Sequence, residues 1–257
     1  MLYITNKIGI FFNNVGVTVR EGYGMTETAP VISLNRFKEN ESKPGTVGIV
    51  MDNVKVKLDP QEGMEKGEGE ILVQGDNVML GYYNNEEATK KTMTNGWLRT
   101  GDVGRFVDNG KFLKITDRVK ELFKTSGGKY VAPQFLENRL KGNKYIEQIM
   151  VVGNNRKFVS ALIYPSATSF KLRAERKKQN LDFSNPNWIN DERVLKKIQK
   201  IVDRYNEEFN QVEKIKKVRL VDKEWTIDGG ELTPTLKLKR KIIESNYLSI
   251  IEEMYKD

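Results

Sequence analysis

Four short segments concentrate the side chains that could bind or react. The first is Glu21–Thr28, EGYGMTET, in which an aromatic stands between two glycines and a hydroxyl and a carboxylate follow. Glycines let backbone approach a ligand closely, the Tyr23 ring can stack on a base, and the Thr26 hydroxyl can donate to a phosphate oxygen. Glu27 could hold a hard divalent cation through its carboxylate oxygens. The same residues also make an ordinary glycine-rich turn with a threonine cap. The second segment is Trp97–Asp102, WLRTGD, where an Asp after a Gly at a strand–turn junction can accept ribose hydroxyls or simply close an Asx-turn. The third, Asp117–Pro133 (DRVKELFKTSGGKYVAP), sets charged residues before Gly127-Gly128. That is the pattern of a hinge with a pliable loop behind it, or of a linker running into a hairpin. The fourth, Glu231–Lys241 (ELTPTLKLKRK), is a Gly/Pro-bounded loop delivering Lys237 in a basic cluster, although lysine runs are ordinarily solvated helix faces.

Absences narrow the chemistry. The 257 residues contain no cysteine and no histidine. No disulfide framework, thiol nucleophile, Ser-His-Asp triad or His/Cys metal site can come from this chain alone. A Walker A loop needs a Gly five residues before its Gly-Lys, and Phe123 stands there before Gly128-Lys129; no GxGxxG dinucleotide pattern occurs either. No stretch approaches the ~20 apolar residues of a spanning helix. The N-terminal MLYITNKIGIFFNNVGVTV lacks a compact apolar core and a small-residue cleavage site, so a soluble, cytoplasmic protein is expected.

The elements that must position these segments differ between the two halves of the chain. Residues 1–117 carry 14 basic and 16 acidic side chains, whereas residues 118–257 carry 29 and 19, a net of +10. The first half holds glycines and short β-like runs. Val17–Val19 reads as a strand leading into a glycine turn at EGYG, Val54–Leu58 as a half-buried strand, and Glu70–Gln74 as another. Arg105–Ile115 reads as a hairpin turning at Asp108-Asn109-Gly110. Together these suggest a small barrel or sandwich. In the second half Pro133 opens a short helix with Leu136 and Leu140 inward and a stop near Gly142. Ile149–Val152 and Phe158–Tyr164 read as paired strands. Arg193–Asn210 reads as an amphipathic helix with Asn190 as N-cap, and Leu238–Met254 as a last helix with Ile242, Tyr247, Ile250 and Ile251 on one side. The expected class is α+β: a distorted β-barrel-like subdomain over 1–117, then a compact α+β domain over 118–257.

The order and spacing of the four segments resemble the adenylate-forming superfamily of acyl-CoA synthetases, luciferases and peptide-synthetase adenylation domains. EGYGMTET is similar to its adenine motif, GEILVQGDNVMLGYYNNEEAT to the stretch after it, WLRTGDVG to its ribose-binding Asp motif, and DRVKELFKTSGGKYVAP to its hinge. TPTLKLKRK resembles the ending found in long-chain fatty acyl-CoA synthetases. The resemblance implies that Tyr23, flanked by Gly22 and Gly24, packs on adenine, that Thr26 contacts phosphate and that Glu27 is the Mg²⁺-associated carboxylate. It likewise implies Asp102 as ribose acceptor, Arg118 as a second ribose contact, Lys120 as the pivot and Gly128 in the loop lining the pantetheine tunnel. Lys237 aligns with the lysine that bridges the fatty-acid carboxylate and the α-phosphate, with Leu236 in place of the usual preceding Gly.

The reaction this implies needs no His or Cys. A fatty-acid carboxylate attacks the α-phosphate of ATP, pyrophosphate leaves, and the acyl-adenylate is passed to CoA, with charge neutralisation supplied by Lys237 and Mg²⁺. The phrase VREGYGMTET, the TPTLKLKRK ending and a helical insertion around Phe170–Val218 point to long-chain acids; an aryl or medium-chain acyl-CoA synthetase is the alternative. The superfamily's phosphate loop ending in Pro-Lys-Gly does not occur in the sequence, so the chain is expected to match the C-terminal part of a longer synthetase. It is then expected to lack ligase activity alone and to need the upstream part of the large domain, with peripheral membrane contact through its lipid substrate. A pI near 9.3 also fits a nucleic-acid binder, but no aromatic RNA-binding signature accompanies it. A non-catalytic remnant is countered by the presence of Glu27, Asp102 and Lys237.

Overall fold

The structure, a computed structural model, describes residues 6–61 and 64–256. Residues 1–5, where the apolar N-terminal stretch begins, lie outside the described residues. Contacts divide the chain into two units, residues 1–122 and 123–257. Among the described residues no helix is long and apolar enough to cross a membrane.

The first unit opens with helix α1 (Asn6–Asn14) and is otherwise built from strands. Strands β1 (Gly22–Gly24), β2 (Val31–Leu34) and β3 (Ile49–Val50) form one antiparallel sheet. The second sheet contains β4 (Val54–Asp59) and β5 (Glu68–Gly75). After helix α2 (Glu86–Thr92) come its remaining strands, β6 (Met93–Thr94), β7 (Trp97–Val107) and β8 (Phe112–Arg118). The long β7 pairs with β5 along one edge, and with β6 and then β8 along the other. Gly48 bridges Leu113 of β8, so the two sheets meet and curl into a half-barrel around Tyr23, Ile32, Val47, Ile71, Val73, Leu98 and Leu113. The β7–β8 hairpin turns where expected: Asp108, Asn109 and Gly110 all take positive φ, which these short or side-chain-free residues tolerate best.

The second unit starts with a small hairpin, β9 (Phe123–Lys124) and β10 (Tyr130–Val131), followed by α3 (Pro133–Lys141) with Pro133 in its first turn. Then come β11 (Ile146–Val152), β12 (Val159–Pro165), α4 (Ala167–Arg176), α5 (Glu192–Asn206), β13 (Ile215–Leu220), α6 (Arg240–Asn246) and α7 (Leu248–Tyr255). β12 lies in the middle of its sheet, antiparallel to β11 and parallel to β13. Because side chains alternate along a strand, Ile149 and Val151 enter one core with α3, α4 and α5. Met150 and Val152 enter a second core with Trp225 and the last two helices. A sheet covered on both faces explains why β11 reads as an unbroken apolar run.

Four expectations change. Val17–Val19 is not a strand; among the described residues no strand pairs with it, its Val17 N–H donating to Phe12 O and its Val19 N–H to Asn13 Oδ1 instead. Gly22 and Gly24 lie in strand β1, paired with β2, rather than in a tight turn; at Gly24 backbone passes too closely for a side chain, since a Cβ there would stand 1.7 Å from the Pro30 carbonyl oxygen. The N-cap of α5 is Asp191, accepting from the Arg193 N–H, because residues 186–190 are already coiled in a 3-10 turn. The last helix is two helices broken at Tyr247 (φ −112°), whose ring meets Trp225 edge-on; in the first of them Ile242 is exposed and Ile243 is buried instead.

Candidate functional site

In the first unit three of the expected residues bond directly to one another. Tyr23, on the short β1, is only 3% exposed, and its hydroxyl donates to Asp102 Oδ2 at 2.8 Å. This burial leaves no face of the Tyr23 ring open to solvent. Asp102, 5% exposed, receives the Arg118 Nε–H on its other oxygen at 2.9 Å. Asp102 and Arg118 are register partners across β7 and β8, so the pairing follows from the hairpin. Burial works against the Arg118 charge, but the charge and hydrogen bond of Asp102 outweigh it and raise the guanidinium pKa. A carboxylate offers about four lone-pair positions, so each Asp102 oxygen retains capacity for one further donor.

The aim of Asp102 is set by groups around it. The β5–β7 register shifts between Glu70 and Leu72, and Gly101 takes φ +72°, a conformation open to glycine. The freed Gly101 N–H is bound by Glu70 Oε1 at 3.1 Å, and the Asp102 N–H by Thr100 Oγ1 at 3.1 Å. Buried Glu70 also bonds Arg99, whose guanidinium reaches Asp59 at 2.9 Å. Val119 N–H donates to the Gly101 carbonyl at 2.9 Å, so the chain just past Arg118 stays fastened beside Asp102, and Lys120 follows in an exposed turn.

Thr26 and Glu27 lie in a 3-10 turn, Thr26–Thr28, after β1. The local cap is made by Thr28: its buried hydroxyl donates toward Met25 O and Pro30 O and accepts from the Met25 N–H. Thr26 is left facing outward. The Glu27 carboxylate is half-buried and accepts the Tyr82 hydroxyl on Oε1 at 2.8 Å, while its carbonyl holds the Met79 N–H. Burial first and Glu27 second raise the Tyr82 pKa. Among the described residues no three acidic side chains converge on a metal site. Glu27 offers a single carboxylate, and Mg²⁺ is commonly held by one or two carboxylates together with substrate phosphates.

In the second unit Gly128 ends a tight turn between β9 and β10, with φ +78° and its N–H on the Thr125 carbonyl. The hairpin reading of this segment holds, and its tip is tied to the next loop by Ser126 N–H to Arg156 O at 3.0 Å. Lys237 is exposed on a second hairpin. Leu232 bridges Leu238, Leu236 N–H closes a turn on Thr233 O, and Lys237 N–H donates to Thr233 Oγ1 at 3.0 Å. The loop residues are Pro234, Thr235 and Leu236, and Leu236 has φ +58°. A three-residue hairpin loop ends in a left-handed residue that favours glycine, which is the physical reason a Gly at 236 would be ordinary. Glu70 and Tyr82, which the sequence reading did not single out, both touch the candidate site; each stands inside Gly69–Thr89, but only tertiary contacts show their partners.

The family "AMP-binding enzyme" matches residues 4–83, and "AMP-binding enzyme C-terminal domain" matches residues 121–257. The chain is 36% identical over 97% of its length to long-chain-fatty-acid–CoA ligase FadD15 of Mycobacterium tuberculosis. It is 33% identical over 93% to the peroxisomal long chain acyl-CoA synthetase 7 of Arabidopsis thaliana. It spans 40% and 35% of the length of those two relatives. Among solved structures it resembles the adenylation domain of a carboxylate reductase from Mycobacterium chelonae, with TM-score 0.70 and 23% identity over 99% of this chain and 38% of that one. It also resembles the o-succinylbenzoate CoA synthetase of Bacillus subtilis in complex with its acyl-adenylate, with TM-score 0.68 and 23% identity over 93% of this chain and 44% of that one. The fold is that of adenylation domains, and the chain belongs to the AMP-binding enzyme family.

Proposed function

We propose that this chain supplies the nucleotide-binding edge and the mobile C-terminal part of an ATP-dependent long-chain fatty acid–CoA ligase. The carrying observation is the bonded set Tyr23–Asp102–Arg118, a buried carboxylate with unused lone pairs beside a glycine-lined strand, in a chain of this family. In this reading a fatty-acid carboxylate oxygen attacks the α-phosphorus of ATP and the bond to pyrophosphate breaks. The CoA thiol then attacks the acyl carbon, losing its proton, and AMP leaves. Asp102 accepts the ribose hydroxyls, Thr26 donates to a phosphate oxygen, and the Lys237 ammonium offsets the charge shared by carboxylate and α-phosphate. Mg²⁺, held through Glu27, would neutralise phosphate charge. Gly128, whose φ of +78° favours glycine, lies in the turn along the pantetheine passage, and Lys120 serves as pivot.

Long-chain acids are favoured because the two relatives described above are named for them, at 36% and 33% identity. With no Pro-Lys-Gly phosphate loop in its sequence, the chain is inferred to lack ligase activity by itself. Apolar side chains left in solvent on the first unit, Phe11 at 60% exposure among them, suit a covering by the upstream part of a large domain. The test is binding of a non-hydrolysable palmitoyl sulfamoyl-adenosine by calorimetry. Binding that weakens tenfold or more in Asp102→Asn is expected; no binding, or no loss in that variant, refutes the reading. Robust ATP–pyrophosphate exchange by the isolated chain would refute the inference of inactivity.

A further inference from the structure

The segment that carries Lys237 is fastened to one strand, β11, at both of its ends. At the leading end the Gln148 amide makes a two-way pair with the backbone of Trp225. Its Nε2 donates to the Trp225 carbonyl and its Oε1 accepts the Trp225 N–H, each at 2.8 Å. At the trailing end stands Glu137 of α3, 4% exposed. Its Oε1 accepts the Val151 N–H at 2.8 Å and its Oε2 accepts the Arg240 guanidinium at 2.7 Å. A second Arg240 nitrogen leans on the Val151 carbonyl at a long 3.4 Å. Both ends of the segment are thus fastened to β11 through side chains rather than through a backbone ladder.

Between these anchors the segment is braced internally. Leu232 N–H donates to Thr226 O at 3.0 Å, Lys239 N–H to Glu231 O at 2.8 Å, and Thr233 N–H to Lys237 O at 2.8 Å. Trp225 is buried to 1% exposure beneath it. Arg240 reads in sequence as one more charge in a basic run, yet it is turned inward onto a buried carboxylate.

We propose that Gln148, Glu137 and Arg240 are positioning residues that hold residues 225–240 as a stiff arm for Lys237. The proposal rests on the reading of Lys237 as the charge-neutralising group. The physical argument is that a lysine already has a long, freely rotating stem. If its backbone also wandered, the ordering cost at each adenylation would rise, whereas a stiff arm leaves only the side chain to be ordered. None of the three residues needs to touch substrate.

Residue-resolved amide hydrogen exchange on this chain tests the proposal without any ligand. Two variants loosen one anchor each: Gln148→Leu, and the charge-free pair Glu137→Gln with Arg240→Met, which avoids stranding a buried charge. Exchange at the Leu236, Lys237 and Lys239 amides is expected to quicken at least tenfold in both, while Ala161, Leu162 and Ile163 in the central strand keep their protection. Arg240→Lys, which still answers the Glu137 charge, is expected to recover most of the loop protection. Loop amides exchanging at the unaltered rate in both variants would overturn the proposal. So would quickening that runs in parallel through β12, because that outcome means general destabilisation. Because the measurement contains no nucleotide, failure of the analogue to bind would sink the functional reading and leave this result standing. The reverse outcome would remove the arm alone.

Discussion

Leu236 stands where its hairpin calls for glycine, and the cost can be worked out and measured. A residue with a Cβ held at φ +58° is strained by about 1–2 kcal/mol. Its side chain is 67% exposed, so about a third of the ~1.5–3 kcal/mol available from full burial is gained, or about 0.5–1 kcal/mol. Leu236→Ala surrenders that burial and keeps the strain, and should destabilise the second unit by about 0.5–1 kcal/mol. Leu236→Gly surrenders the same burial and adds about 0.5–1 kcal/mol of unfolded-state entropy, but recovers the strain, for a net near zero. The glycine variant should therefore be about 0.5–1 kcal/mol more stable than the alanine variant, although it removes more atoms. Urea unfolding followed by the fluorescence of buried Trp225 gives the comparison directly. An alanine variant as stable as the glycine variant, or more so, would refute the left-handed assignment and with it the account of the hairpin.

Three further outcomes follow from the first unit. Gly24→Ala places a methyl 1.7 Å from the Pro30 oxygen, so β1 and β2 must separate and the Met25–Pro30 hydrogen bond must break; a loss of about 2–4 kcal/mol in urea titration is expected. A near-neutral alanine would show that the hairpin has room it does not display. Tyr23→Phe leaves the buried Asp102 with one fewer donor and should cost about 1.5–3 kcal/mol in the same titration; unchanged stability would show that the bond contributes nothing. Glu68 has its pKa raised, first by burial and then by the nearby charge of Glu65. A carboxyl whose folded pKa is raised binds its proton more tightly when folded, so stability is greatest at low pH and falls as pH rises from the unfolded pKa through the folded one. Glu68→Gln should accordingly stabilise the first unit at pH 7 and make no difference below the carboxylate range. An equal gain at both pH values would contradict the desolvation argument.

Local periodicity carried most of the fold. The alternating strand around Val56, the unbroken apolar runs around Ile71 and Ile149, the turn residues Asp108-Asn109-Gly110 and the inward row Val194, Ile198, Ile201 and Val202 are all legible in local sequence. Where neighbours decide, the pattern misled. Val17–Val19 has strand-forming residues but no strand partner among the described residues, and the last helix is interrupted at Tyr247, with Ile243 rather than Ile242 inward. The candidate site divides along the same line. Tyr23, Asp102 and Arg118 were visible as residue types in ordered segments, and the structure puts them in contact. The bulge at Gly101, the Glu70 carboxylate beneath it and the left-handed Leu236 depend on register and backbone angle, which no residue type announces.

The two anchors on β11 also govern what this protein can do to copies of itself. A strand with free amides on one side is a template on which another chain can add. Along β11 the Val151 N–H is taken by a glutamate, and the Gln148 amide occupies the neighbouring stretch with a segment of the same chain. Growth of that sheet is left to β13, which pairs only with β12 among the described strands and carries Lys216, Lys217 and Arg219. A second β13 approaching it would meet three like charges. One edge is thus blunted at Val151 and the other carries like charges, so pairing of two copies through β13 should be weakest at low ionic strength.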